Sequence, residues 1–322
     1  MNEQYPTRYT RRQFGSTALG AIGALGATAM TRAAGPWASL DAALSAAPGA
    51  GLAEINSRIN GVRIGAITYS FRAITDPDAI IKAMAQIGLG EAELMSNHAE
   101  ALAGAPTGRG AADALATWRR STSASTWQPV KKKFQDAGIQ VRLLCFNMNV
   151  RTTSDEDVEY AFAMAKALGV DAITTSTQVS MAKRVAPFAD KHKILVGYHG
   201  HANITDPDEV ATPASFAACL ALSKYHAINL DIGHFTAGGF DAVSFLTANH
   251  ARITNLHLKD RKKPANGGAN LPWGQGETPI KEVLQLLRKE KWNMPANIEF
   301  EYPGDPLVEV PKCLQYCKDA LA

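Results

Sequence analysis

A chain of 322 residues with a hydrophobic fraction of 46% can build a full core, as one large domain or as two of the usual ~150 residues. Its formal net charge of +3 is close to neutral for that length, and the only short basic runs are 131–133 and 261–263. So sparse a charge builds no polyanion-binding surface, which argues against a nucleic-acid partner and gives no sign of a phosphorylated substrate.

In chain order, the first segment is an address rather than a fold. Arg11-Arg12-Gln13-Phe14 precedes a mildly apolar, glycine-rich run at 19–25, too short to span a bilayer, and Ala27-Thr28-Ala29 offers a small-residue cleavage site. Residues 1–32 resemble a twin-arginine export signal. The resemblance implies recognition by the twin-arginine export machinery, a periplasmic or otherwise exported protein, and no stable membrane insertion. Residues 33–60 are rich in Ala, Gly and Ser, with Pro36 and Pro48, and read as a flexible linker or partial helix.

From residue 61 onward, β-rich runs at 62–69, 91–96, 140–146, 172–176, 194–199, 227–231, 253–258 and 297–301 alternate with amphipathic stretches. The predicted helices cover 77–88, 127–137, 155–168, 180–191, 211–223, 240–250, 279–291 and 306–320. Asp76-Pro77 and Asp206-Pro207 read as helix starts, and Gly88, Gly138 and Gly169 as stops. Eight such β/α units predict a single closed (β/α)8 TIM barrel over residues 61–322. The rival, a doubly wound sheet, would carry a glycine-rich turn after its first strand, where this chain has Tyr69-Ser70-Phe71-Arg72. Residues 97–126 interrupt the alternation after the second strand and are a candidate lid. Cys145, Cys219, Cys313 and Cys317 form no CxxC pair and read as small core residues.

Catalytic groups in such barrels project from the C-terminal ends of strands. Here the fifth strand ends in Tyr198-His199-Gly200-His201, the sixth in Asp231-Ile232-Gly233-His234 and the seventh in His257-Leu258-Lys259-Asp260-Arg261. The eighth reads Ile298-Glu299-Phe300-Glu301. Four neighbouring strands thus deliver His199, Asp231, His257 and a glutamate to one rim. Mixed imidazole and carboxylate donors suit one divalent ion of the Mn, Co, Zn or Fe(II) class. His199 and His201 share a face, as do Glu299 and Glu301, so the ligand within each pair stays open. Lys259 and Asp260 read equally as substrate contacts or as a salt-bridged loop.

With these motifs the region 61–322 resembles the sugar phosphate isomerase/epimerase superfamily with the xylose isomerase-like barrel. The most specific matches are Tyr198-His-Gly-His201, Asp231-x-Gly-His234, His257-Leu-Lys-Asp260 and Ile298-Glu-Phe-Glu301. Gly274-Gln-Gly-Glu277 and Ala92-Glu93-Leu94 are also family-like. The resemblance implies metal ligands at His199, Asp231, His257 and Glu299, with Glu301 as the fallback. It implies substrate contact at His234 and, more weakly, at Arg261. Many epimerases of the family carry a glutamate where His199 stands, and that residue also moves a proton. Its absence weakens a two-base epimerisation relative to a one-base isomerisation or an elimination.

The expected chemistry is a metal-dependent isomerase, epimerase or lyase reaction on a keto-sugar, a glycoside-derived keto-sugar or a polyol, through an enediolate. Glu299 or Glu301 is the expected base and Glu93 the reserve. His201, His234, Asn147, Lys259 and Arg261 are the expected substrate contacts, and Trp273 and Phe71 an apolar wall. The competing readings are a metal-dependent phosphodiesterase of the apurinic-endonuclease type and a non-catalytic periplasmic sugar-binding barrel. A homo-oligomer is compatible with the sequence.

Overall fold

The computed structural model describes residues 53–108 and 110–322, so the signal-like segment 1–32 and residues 33–52 of the linker lie outside the described residues. Eight parallel strands form the frame: β1 Val62–Ile67, β2 Glu91–Met95, β3 Gln140–Cys145, β4 Ala172–Ser176, β5 Leu195–His199, β6 His226–Asp231, β7 Ile253–Leu258 and β8 Ala296–Ile298. Each pairs with its sequence neighbours, and β8 also pairs with β1, which closes the sheet into a (β/α)8 TIM barrel.

The helices are α1 Pro77–Ile87, α2 Ser96–Leu102, α3 Ala112–Ser121, α4 Ala124–Asp136, α5 Asp155–Leu168, α6 Val179–His192, α7 Pro213–Leu220, α8 Ile232–Ala237, α9 Ala242–Asn249, α10 Ile280–Glu290 and α11 Pro306–Leu321. Local chemistry sets their ends. The Asp76 side chain accepts from the N–H of Asp78 ahead of Pro77, and Ser154 and Asp157 form a reciprocal capping box at α5. Gly88 and Gly169 take the left-handed conformation that terminates α1 and α5. The proposed insertion at 97–126 supplies α2 and α3, and α4 begins within it, at Ala124. All four cysteines are free and buried, as expected of core residues. Among the described residues no helix is long and apolar enough to cross a membrane.

Several boundaries differ from expectation. Asp206-Pro207 begins no helix, since α7 starts at Pro213, and β1 ends at Ile67 rather than 69. The barrel's contacts begin before residue 61: Arg58–Ile59 pairs antiparallel with the start of β1, and the N–H of Ile55 donates to Gly138 O at 2.9 Å. The last strand ends at Ile298 rather than 301, because Ser70 Oγ takes over the next backbone groups. It donates to Ile298 O at 2.9 Å and accepts from the N–H of Phe300 at 3.0 Å. Glu299 still donates its N–H to Leu258 O at 3.0 Å, so it stays in line with β8.

Candidate metal centre and active site

Side chains inside the barrel stack in layers of four drawn from alternate strands. The even strands supply Glu93, Thr174, Asn229 and Asn297, and the odd strands supply Ile67, Cys145, His199 and His257 above them. Two residues further along the even strands come Met95, Ser176, Asp231 and Glu299. The register fits this stacking, since Ile67 lies beside Glu93, Ser176 beside His199, and His257 between Asp231 and Asn297. A metal-ligand set can therefore form only where the second and third layers meet on strands β5 to β8.

It forms there. One donor atom from each of His199, Asp231, His257 and Glu299 lies within 4.8 Å of the others, and all four residues are buried. His199 Nε2 and Asp231 Oδ2 approach to 3.4 Å, and neither has an aligned hydrogen-bond partner among the described residues. Asp231 Oδ2 has the Lys259 ammonium 3.1 Å away but no aligned hydrogen bond, and a cation between it and His199 Nε2 would satisfy both atoms. The nitrogen and oxygen donors suit a borderline divalent ion better than calcium.

Neighbouring side chains orient these four residues. His257 Nδ1 lies 3.0 Å from Glu299 Oε2, while its Nε2 lies 2.7 Å from Glu93 Oε2. Glu93 accepts further from Asn297 Nδ2 at 2.8 Å, from Asn255 Nδ2 at 3.0 Å and from the Thr174 hydroxyl. A carboxylate behind one ring nitrogen fixes the tautomer so that the other nitrogen can bind metal. On β5, Ser176 Oγ lies 3.3 Å from His199 Nδ1 and leaves Nε2 for the centre. Lys259 Nζ, fully buried, lies 3.1 Å from Asp231 Oδ2, 2.9 Å from Glu299 Oε2 and 2.6 Å from Glu301 Oε2.

Burial opposes every charge in this cluster, and the neighbours override it. Against burial, Lys259 and His234 hold Asp231 well below the carboxylate range, and Lys259 and His257 do the same for Glu299. His257 is raised well above its usual value by Glu93 and Glu299, and His199 is raised by its bonds to Asp231 and Glu299. His234 goes the other way: burial, helped by Lys259 and His199, pushes it well below its usual value despite the pull of Asp231. Its Nδ1 faces Arg261 Nη1, so the neutral ring carries its proton on Nε2.

Above the cluster opens a cavity of about 250 Å³, lined by Ile67, Tyr69 and Met95 and by Asn147, His201, His234 and Glu301. The expected site residues sort themselves against it. His199, His257 and Glu299 line it and Asp231 completes the cluster with them without lining the cavity, while Asn147, His201, His234 and Glu301 line it as well. His201 Nδ1 bonds to the Glu209 carboxylate, leaving Nε2 free to face the cavity.

Four expectations fail. Glu93 lies beneath the metal cluster with no exposure, fully engaged as an acceptor, and is no reserve base. Lys259 is held by three carboxylates and does not line the cavity. Arg261 spends its guanidinium on His234 and on Gly268 O, so it props a wall residue instead of reaching into the space. The apolar wall is not Phe71 and Trp273, since Phe71 is buried in the core and Trp273 packs edge-on against Tyr316.

Asp260 resolves as structural. Its carboxylate accepts from the N–H groups of Gly274, Gly276 and Thr278, and a Cβ at Gly276 would lie 1.9 Å from Asp260 Oδ1. This explains Gly276, while Gly274 is set by its left-handed backbone, φ +88°. Sequence reasoning missed Tyr69, Ser176 and Asn229; Ser176 and Tyr69 lie at or just past strand ends, so the strand-end rule applied to all eight strands would have found them.

The sequence matches the xylose isomerase-like TIM barrel family over residues 81–317, and the chain belongs to that family. No curated protein matches the sequence. Among solved structures, a probable 3-DHS dehydratase, AsbF, involved in petrobactin synthesis in Bacillus anthracis, is 17% identical. That comparison covers 81% of this chain and 98% of the other, with a TM-score of 0.57. A sugar phosphate isomerase/epimerase from Parabacteroides distasonis is 18% identical over 84% of this chain and 97% of its own, also at 0.57. The IolI protein, solved with a zinc atom, is 13% identical over 80% and 96%, at 0.58. At these identities the likeness is one of fold.

Proposed function

We propose that the protein is a divalent-metal-dependent enzyme of the sugar isomerase/epimerase type. It moves a proton at the carbon beside a carbonyl in a neutral keto-sugar, a glycoside-derived keto-sugar or the keto form of a polyol. The observation that carries this reading is Glu301: a carboxylate on the cavity wall, outside the four-donor cluster, beside the buried ammonium of Lys259. An ion of the Mn, Co, Zn or Fe(II) class held by His199, Asp231, His257 and Glu299 would supply Lewis-acid polarisation of the substrate carbonyl.

The protein's own groups divide the remaining work. Glu301 accepts the proton from carbon, with Lys259 fixing its carboxylate at 2.6 Å. His234, neutral and protonated on Nε2, donates a hydrogen bond to a substrate oxygen. His201, aligned by Glu209, stands on the same cavity as a second polar group for substrate hydroxyls. One base suffices for isomerisation, and the same proton removal begins an elimination. The signal-like N-terminus supports action in the periplasm after twin-arginine export, and the near-neutral charge supports a small carbohydrate rather than nucleic acid as partner.

Solvent exchange tests the reading. Metal-loaded protein incubated in D2O with 3-keto-glucosides, inososes and free ketoses is expected to introduce deuterium beside the carbonyl of at least one substrate. Glu301→Gln should abolish exchange at unchanged metal content, whereas Glu299→Gln should lose the metal. Absence of exchange across the panel, or exchange undiminished after rigorous metal removal, overturns it.

A further inference from the structure

The central cavity, at about 250 Å³, is small beside the ~300–1,000 Å³ of usual small-molecule sites. It does not end at its own wall. A second cavity of about 310 Å³ adjoins it, and Asn147, Ser176 and His201 line both. Taken together, the two fall within the usual range.

The second chamber has a distinct chemistry. Thr152, Thr153 and Thr177 bring hydroxyls, Asn149 and Gln178 bring amides, and the sole acidic or basic side chains are Glu209 and the His201 that bonds to it. Neither Lys nor Arg lines it, so it holds no cation for a phosphate or carboxylate group. The amides are also oriented. Asn147 Oδ1 accepts from the N–H of Ser176 at 2.9 Å, Asn149 Oδ1 from that of Arg151 at 2.9 Å, and Gln178 Oε1 from that of Val150 at 3.0 Å. With each carbonyl oxygen tied to backbone, the amide nitrogens are left as donors. Thr177 Oγ1 is buried with no hydrogen-bond partner among the described residues. Fixed N–H donors, hydroxyls and no cation suit a neutral partner rich in ether and hydroxyl oxygens.

We infer that the second chamber is a subsite for a second sugar ring, so that the substrate is a glycoside of disaccharide size with its reacting ring over the metal cluster. The inference rests on the proposed function for which ring reacts. The joined chambers and their polar lining stand apart from it. Asn147, Ser176 and His201 form the waist between the rings, and Ser176 also touches the ligand His199 at 3.3 Å. Occupancy of the outer ring therefore borders directly on the metal site.

Calorimetric titration of the manganese-loaded protein tests this, with glucose, galactose, cellobiose, maltose, lactose, trehalose and glucose 6-phosphate as probes. At least one disaccharide is expected to bind ten times or more tighter than either of its monosaccharides. Thr152→Trp, at an exposed position that fills the chamber, should bring that ratio down toward one. Gln178→Leu should lower it without filling the space, and metal content and melting temperature report whether each variant is folded. If no disaccharide gains over its monosaccharides, if the gain survives Thr152→Trp in folded protein, or if glucose 6-phosphate binds tightest, the inference fails. Deuterium exchange without a disaccharide gain refutes the subsite alone. A disaccharide gain without exchange on any keto-sugar refutes the proposed reaction alone.

Discussion

Replacing Glu93 by Gln separates a residue that positions a ligand from one that moves a proton. Glu93 Oε2 faces three donors, His257 Nε2 at 2.7 Å, Asn297 Nδ2 at 2.8 Å and Asn255 Nδ2 at 3.0 Å. Oε1 faces only the Thr174 hydroxyl closely, with Asn229 Nδ2 at 3.4 Å. A glutamine is therefore expected to turn its oxygen toward His257 and its amide toward Thr174, whose hydroxyl can rotate to accept. The His257 tautomer survives and the charge does not. A charge-assisted hydrogen bond contributes ~1.5–3 kcal/mol against ~0.5–1.5 for a neutral one, a difference of about 1–1.5 kcal/mol. At 1.4 kcal/mol per factor of ten, metal affinity should fall about tenfold, at the lower end of the 10–100-fold range for outer-shell changes. Glu93→Leu orphans the three donors instead, at ~1–3 kcal/mol each, and should lower the melting temperature far more. Competition against a chelator of known affinity and thermal melting measure both effects. Should Glu93→Gln keep wild-type metal affinity and stability while losing turnover, Glu93 acts on substrate and the layered account is wrong.

Lys259→Met leaves Asp231, Glu299 and Glu301 without their shared cation, and breaking a buried ion pair typically costs ~3–5 kcal/mol. The melting temperature of metal-free protein should drop more than that of metal-loaded protein, and equal drops would contradict the placement of Nζ against ligand oxygens. Because His199 and His257 are held protonated above their usual range, metal binding must displace protons, so affinity should rise with pH through and beyond ~6.5. Titrations in two buffers of different ionisation enthalpy report that release, and zero net release rejects the ligand assignment. His199→Glu should make the fold depend on metal, read as a wider gap between metal-free and metal-loaded melting temperatures than in wild type; an unchanged gap counts against it.

The barrel was legible because its determinants are local. Asp76-Pro77, the Ser154 capping box and the glycine stops punctuate the helices, and strands of three to six residues between them have few other places to go. The metal cluster was legible because position at a strand end is itself a sequence property. What escaped was nonlocal. Asn229, Asn255 and Asn297 read as ordinary strand residues, yet they meet Glu93 from across the barrel in a buried polar layer. Lys259 and Arg261 looked like substrate contacts because they follow a ligand in sequence, and only packing shows which carboxylates and which histidine consume them. Glu299 and Glu301 share a face by period, and β8 places one in the cluster and the other on the cavity wall.

The histidine at position 199, where the family resemblance implies a glutamate in many epimerases, has an electrostatic consequence that unites these observations. Four carboxylates, Glu93, Asp231, Glu299 and Glu301, surround Lys259, His199 and His257. With both rings protonated, as their raised values favour, three positive charges face four negative ones. A divalent ion that displaces the two ring protons leaves that balance unchanged. A glutamate in place of His199 would set five carboxylates against two cations whenever metal was absent, and at such burial the excess charge would be costly. By this charge count, the histidine would let the centre exchange protons for metal at constant local charge. With no carboxylate at position 199, Glu301 is the carboxylate that lines the cavity outside the four-donor cluster, the position the proposed reaction assigns to its base.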